Sequence, residues 1–366
     1  MVKFTEIIEA SIEWTTTVLF RPFSPKKWFI LVFVALLAGQ LAGGGCNSFS
    51  PGRDHTDKTK PAQAAEIYQA SISYPTAQTV NKKSTFSPSE ILKSFSLKKS
   101  KNPALFLYIV AIAVLVILAF LVLTWLTARF SFIFLEDVIK NDASIKMPFR
   151  ENKQIANSLF LFYLVSSVVF LALFGLLTVG LIYNLINLGV FQKEANVGFK
   201  QIFLTCLPYG LLLFSVIFIA LLISLIAQDF VLVVMFKDKI KIMKAWRKIL
   251  AMLRVHKVDF VKYLCIKLGL AICSAIIAGL LSFITFIGLL LPGGITVAVF
   301  YLIYLILPKA FRLLYSIILF MVGIPLFLFL LYCLTALNLP FAVFFRTFSL
   351  KFLARLDQNY NLFKQD

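Results

Sequence analysis

The chain has 366 residues, of which 60% are hydrophobic and 14% charged, with 39 Phe and a mean hydropathy of +0.90. Soluble domains hold about 25% charged residues, so this balance excludes an ordinary soluble fold and points to an integral membrane protein. A net charge of +19 does not indicate nucleic acid, because the cations stand mainly beside apolar runs, and neither zinc-finger spacing nor an RNA-binding signature accompanies them.

Residues 3 to 20 form an amphipathic helix within an N-terminal interfacial segment, residues 1–27. Ile7, Ile8, Trp14, Val18 and Leu19 fall on one side, and Glu6, Glu9 and Glu13 on the other. Pro22 and Pro25 break it, and Arg21, Lys26 and Lys27 mark a membrane edge. A first span is expected from Trp28 to Ala42, within residues 28–45. Its end, Gly43-Gly44-Gly45-Cys46, differs from a lipoprotein cleavage box, because Gly43 stands where a branched aliphatic residue belongs. Residues 46–102 are rich in Ser, Thr, Lys, Pro and Gln and read as a flexible polar loop, with short helices near Ala62–Ala70 and Pro88–Leu97.

The membrane bundle proper, residues 103–345, opens with a second span, Ala104 to Phe134, after which Glu136, Asp137, Lys140 and Asp142 mark water. A third covers Ser158 to Leu188, a turn holds Gln192, Lys193 and Glu194, and a fourth covers Ile202 to Ala227. Each is long enough to cross a hydrocarbon layer of about 30 Å, which takes about 20 helical residues. None shows the alternation of a barrel strand.

A basic amphipathic helix follows, residues 237–258. At about 100° per residue, Ile242, Trp246, Ile249, Leu250 and Leu253 share one face. Lys237, Lys241, Lys244 and Lys248 share the opposite face, with Arg247 and Arg254 on its flank. Such a helix is expected to lie in the membrane interface, apolar side in lipid and charges toward anionic headgroups. Its density of Lys and Arg makes this loop cytoplasmic. Lys98, Lys99 and Lys101, directly before the second span, oppose that orientation.

The fifth span, Phe260 to Leu291, is expected to stop at Pro292-Gly293-Gly294. Residues 295–307, interrupted by Pro308, Lys309 and Arg312, read as a kinked or re-entrant segment before a sixth span within Leu313–Phe345; two separate spans here would give seven. Residues 346–366 read as a basic tail. The expected fold is all-α: a polytopic transmembrane helical bundle of about six spans with amphipathic interfacial helices, in the plasma (inner) membrane, both termini cytoplasmic.

Several phrases carry a resemblance: RPFSPKKWF running into a span that ends AGGG, ARFSFIFLEDVI, DFVLVVMFKDKIKIMKAW and LPFAVFFRTFSLKFLARLD. The chain resembles an uncharacterised family of prokaryotic polytopic membrane proteins, catalogued as a domain of unknown function. It looks distantly similar to the membrane domain found beside some glycerophosphodiester phosphodiesterases. The resemblance implies a helical membrane bundle with interfacial helices, and no catalytic residues.

Polar groups in or near spans are Gln40, Asn184, Asn187, Gln228 and Asn338. Asn184 and Asn187 share a helix face and could meet a polar solute, but bonds between helices explain them more simply. Gln228-Asp229 and Glu136-Asp137 read as boundary residues with their charges in water. Arg129 and Arg346 read as anchors able to snorkel to phosphate.

Neither His55 nor His256 has a catalytic motif around it, and neither HExxH, GxSxG nor a P-loop is present. Cys46, Cys206, Cys265, Cys273 and Cys333 include no CxxC pair, and Arg53, Asp54, His55 and Asp57 read as loop charges, so no metal or cofactor is expected. Glu6, Glu9 and Glu13 are expected to dock on Lys241, Lys244 and Lys248.

The resulting expectation is a non-enzymatic membrane component that organises lipid or supports a partner complex. Its partners would be the bilayer, anionic phospholipids and a membrane or cytosolic protein; nucleic acid is not among them. A transporter or permeation subunit is the alternative, and a lipid-modifying enzyme the third.

Overall fold

The computed structural model describes residues 3–41, 103–190 and 198–363, all helix or connecting turn, with no strand among them. The loop expected over 46–102, its two short helices, His55 and the Gln192–Glu194 turn lie outside the described residues.

In chain order the helices are α1 (Phe4–Phe20), α2 (Pro25–Leu37), α3 (Pro103–Lys140), α4 (Lys146–Glu151) and α5 (Lys153–Asn187). Next come α6 (Phe199–Ile226), a π-helical turn (Ala227–Val231), α7 (Leu232–Asp238) and α8 (Ile242–Val255). Then come α9 (Lys257–Ile306), α10 (Lys309–Ala336), α11 (Leu339–Leu356) and a 3-10 turn (Gln358–Tyr360). Five stretches are long and apolar enough to cross a membrane: Leu107–Lys140, Lys153–Asn187, Phe199–Asp238, Lys257–Ile306 and Phe311–Ala336.

The apolar stretches of these five are almost wholly exposed, as lipid-facing helices are when no bilayer is present. The buried core lies instead at their ends. One apolar cluster joins Ile7 of α1, Phe132 and Leu135 of α3, Leu159 of α5, residues Phe230–Met235, Ile249 of α8, and Phe348 and Phe352 of α11. A second joins Leu19, Leu31 and Val34 of α1 and α2 to Phe134 of α3 and Val343 of α11.

Two sequence expectations change here, and a third is described only in part. Of the segment expected as a first span, 28–45, the described residues end at Leu41; α2 takes 13 residues, which reach about 20 Å, and the remainder lies outside the described residues. Leu31, Val32, Val34 and Ala35 are buried in protein, and Lys27 Nζ donates to Asn141 Oδ1 at 2.6 Å.

The expected stop at Pro292-Gly293-Gly294 is absent. Helix α9 runs through it to Ile306, 50 residues in all. Proline removes one backbone bond, a loss that spanning helices tolerate more readily than a break exposing further polar groups to lipid. The turn comes at Leu307-Pro308, and α10 is then one helix with Pro325 inside it.

The expected basic tail is α11, among the most buried helices of the molecule: Arg346, Thr347, Phe348, Ser349 and Leu350 are each at most 3% exposed. Helix α1 lies along it. Phe4 stacks on Phe352 with centroids 5.8 Å apart, and Arg355 Nη2 meets Glu6 Oε2 at 3.0 Å. Both end helices therefore sit in the same core as α8.

Candidate buried charge cluster and basic face

The π turn places Gln228 and Asp229 inside the core, 5% and 6% exposed. A π turn interrupts the ordinary ladder of backbone bonds, and the Gln228 carbonyl oxygen accepts from Arg346 Nη1 at 2.6 Å. Lys267 Nζ and Tyr263 Oη both donate to Asp229 Oδ2, the latter at 2.9 Å. Tyr263 and Lys267 are four residues apart, so one face of α9 carries both. Gln40 Nε2, just beyond α2, reaches Gln228 Oε1 at 3.4 Å.

Aromatic packing fixes the cluster. Tyr263 stacks on Phe352 at 4.4 Å and on Phe348 at 5.3 Å, and Phe230 lies 5.0 Å from it. Arg346 faces the Phe134 ring at 6.0 Å. Two cations and one carboxylate leave one positive charge in excess. Arg346 Nε and Nη2 have no partner. Burial pulls the Arg346 pKa below its ordinary value, and Asp229, Tyr163 and Tyr263 pull it back.

Four sequence candidates, Gln40, Gln228, Asp229 and Arg346, thus converge. Lys267 was missed, although its signal is plain: a lone cation among apolar residues past the start of the fifth span. Arg346 does not reach toward headgroups, because α1, α2 and α9 enclose the helix that carries it.

Arg129 is an anchor of another kind, held between Trp125 and Phe149 at 4.5 and 4.6 Å and donating to the Phe149 carbonyl oxygen and Asn157 Oδ1. Glu136 and Asp137 are not charges in water, being 4% and 2% exposed. Glu136 accepts from Lys140 at 2.7 Å and from Asn152 at 3.0 Å, and Asp137 accepts from the Ser144 N–H. Asn184 does bridge helices, donating to Tyr209 Oη at 2.6 Å and to the Gly180 carbonyl oxygen at 3.1 Å. Asn187 is exposed and does not join it. Asn338 opens α11, its carbonyl oxygen accepting from the Ala342 N–H.

Helix α8 forms the second feature. Its apolar face lies on protein rather than lipid: Ile242, Ala245 and Ile249 are buried, and Trp246 packs on Phe162 at 6.0 Å. The turn before it uses Lys239 in the left-handed region, φ 52°, and Lys239 Nζ donates to Asn152 Oδ1 at 2.8 Å. Lys241, Lys244, Arg247, Lys248 and Arg254 are all exposed. Between them stand exposed Met243, Leu250 and Val255.

The docking expected between α1 and α8 is not formed. Glu6 pairs with Lys3 and Arg355, and Lys248 pairs with Asp238 at 2.7 Å. The acidic face of α1 meets the cations of α11 because the core seats those two helices side by side.

A model for a family of unknown function, DUF7544, matches residues 3–363, and the chain belongs to that family. No curated protein and no solved structure matches it.

Proposed function

We propose that this integral membrane protein is a non-enzymatic component of the plasma (inner) membrane that gathers anionic phospholipid along the outer face of α8 and offers that face to a protein partner, with α1, α8 and α11 in the cytoplasm. The observation that carries the reading is the exposed row of Lys241, Lys244, Arg247, Lys248 and Arg254, interleaved with exposed Met243, Leu250 and Val255. Burial of the opposite face against the core fixes the helix, so the cations stand together on one held surface. Each Lys or Arg near an anionic surface contributes about 1 kcal/mol of attraction.

The test is the lipid retained on purification. Protein extracted from mixed phosphatidylglycerol and phosphatidylcholine bilayers should carry more phosphatidylglycerol than the bulk, and changing all five cations to Gln should return the ratio to the bulk value. Unchanged enrichment in that variant would exclude the surface. For orientation, Lys244→Cys should react with an impermeant maleimide only after lysis, and Leu307→Cys on intact cells; the reverse pattern would invert the assignment.

A permeation subunit is the second reading. The buried Asp229, Lys267 and Arg346 favour it, since ionisable groups near spans often line solute paths. Solute flux into proteoliposomes, abolished by Lys267→Met, is its test.

A further inference from the structure

Helices α1 and α8 carry opposite charges on outward faces that do not meet within one chain. The core seats α1 along α11, and α8 on α5 and the π turn, so each turns its charged side away from the protein. Lys3 and Arg355 take up Glu6. Glu9 and Glu13 are exposed and have no ion-pair partner among the described residues. Beside them stand Ile12 and Phe20, 52% and 53% exposed. On α8, Asp238 engages Lys248, whereas Lys241, Lys244, Arg247 and Arg254 have no ion-pair partner among the described residues. The acids at 6, 9 and 13 and the lysines at 241, 244 and 248 follow one spacing, i, i+3, i+7, so each row runs along one side of its helix.

We propose that the protein partner of α8 is a second copy of this chain, whose α1 lies along it with Glu9 and Glu13 among Lys241, Lys244 and Arg247. The proposal rests on the reading of α8 as a partner surface and names the partner. Charge complementarity favours a copy, because one sequence carries both halves of the contact at matching spacing. Height in the membrane favours it as well. Ile7 of α1 and Ile249 of α8 belong to one apolar cluster, so copies inserted in the same direction hold both faces at the same level, and confinement to one membrane raises their effective concentration. Exposed ion pairs are weak singly. Ile12 and Phe20 against exposed Met243 and Val255 add apolar burial to them.

The experiment measures energy transfer between full chains, some with a donor dye on a C-terminal tag and some with an acceptor, in phosphatidylcholine proteoliposomes. Transfer is expected above the background of a non-associating membrane protein at equal density, and raising sodium chloride about tenfold should reduce it. Glu9→Lys with Glu13→Lys should lower transfer to background, and so should Lys244→Glu with Arg247→Glu, since each sets like charges face to face. Mixing donor-labelled copies of the first variant with acceptor-labelled copies of the second should restore transfer, because the unaltered α8 of one then meets the unaltered α1 of the other. Unfolded chains cannot give that recovery. Glu13 faces Lys351, so if the double change does not fold, Glu9→Lys alone takes its place. Phosphatidylglycerol enrichment should be unchanged in the Glu9 and Glu13 variant, which separates this contact from the lipid surface. Background transfer in the native chain overturns the proposal and leaves the lipid surface standing. Transfer that neither pair of reversals moves, or a mixture without recovery, overturns it too.

Discussion

Lys351 Nζ donates to the carbonyl oxygen of Ala10 at 2.6 Å, a bond between residues 341 positions apart. It ties the first helix to the last across the whole length of the chain. Ala10 lies mid-helix in α1, so its oxygen already accepts within the helix, and the ammonium adds to it on its second lone pair. Burial pulls the Lys351 pKa below its ordinary value, against the pull of Glu13.

Replacing Lys351 with Met should therefore destabilise the chain by about 1.5–3 kcal/mol, the range for bonds from charged groups. Chemical unfolding in mild detergent checks this. Arg355→Ala, which removes only an exposed ion pair with Glu6, should cost less than about 1 kcal/mol. Equal losses from the two would mean that the tether adds nothing.

The Asp229 cluster makes a sharper forecast. Asp229→Asn leaves Lys267 and Arg346 without their carboxylate, and stranding buried charge costs about 3–5 kcal/mol. Asp229→Leu combined with Lys267→Met removes the ion pair as a unit and should recover most of that loss. A double variant no more stable than Asp229→Asn would show that geometry, not charge balance, makes the cluster stable.

Tyr360 gives the pH dependence. Its hydroxyl donates to Asp238 Oδ2 at 3.1 Å, and burial followed by the negative charge of Asp238 raises its pKa from 10.0 to about 12. Below the unfolded value both states keep the proton and the contribution is complete. Between 10.0 and about 12 the unfolded chain loses the proton first, so stability drains as pH rises and the contribution is gone above the folded value. Unfolding midpoints measured over that window should fall more steeply for the native chain than for Tyr360→Phe.

Between α5 and α6 the contact at Gly180 is tight. A Cβ there would meet Tyr209 Cε1 at 3.2 Å, and the Tyr209 hydroxyl is the partner of Asn184. Gly180→Ala should push the ring aside by tenths of an ångström and lower stability by about 0.5–1 kcal/mol, close to the value of Asn184→Leu, since polar bonds between spanning helices average about 0.6 kcal/mol. The two changes together should cost less than their sum, because both act on one bond.

Much of this architecture could be read from the residues, and the failures share a cause. Spans at α3, α5, α6 and α9 announce themselves because a continuous apolar run has few other uses. Helix α2 has the same kind of run, and its packing with Phe134 and Val343 is not written in its own residues. Helix α11 reads as a tail because its cations are legible in the sequence and their surroundings are not. Arg346 and Lys351 point inward to Gln228 and Ala10, and no local pattern gives that direction. For α8 the amphipathic period was legible and the partner was not, since an apolar face fits protein as well as lipid. Lys267 alone was readable and overlooked, being a charge where the pattern forbids one.

Helices α5, α6, α9 and α10 each enter the core by one end and are exposed along most of the remainder. When a bilayer thins or thickens, such helices adjust by tilting, at fractions of a kcal/mol per ångström of mismatch. Far from the core α6 is bonded to α5 through Tyr209 and Asn184, and α9 to α10 through Phe300 and Tyr315, so these rods tilt as pairs about the ends that the core holds. For α6 and α9 the hold is the π turn and the Asp229–Lys267 pair, with Arg346 behind them. The charged junction is thus a fulcrum, and the thickness of the surrounding membrane reaches the core as torque on it.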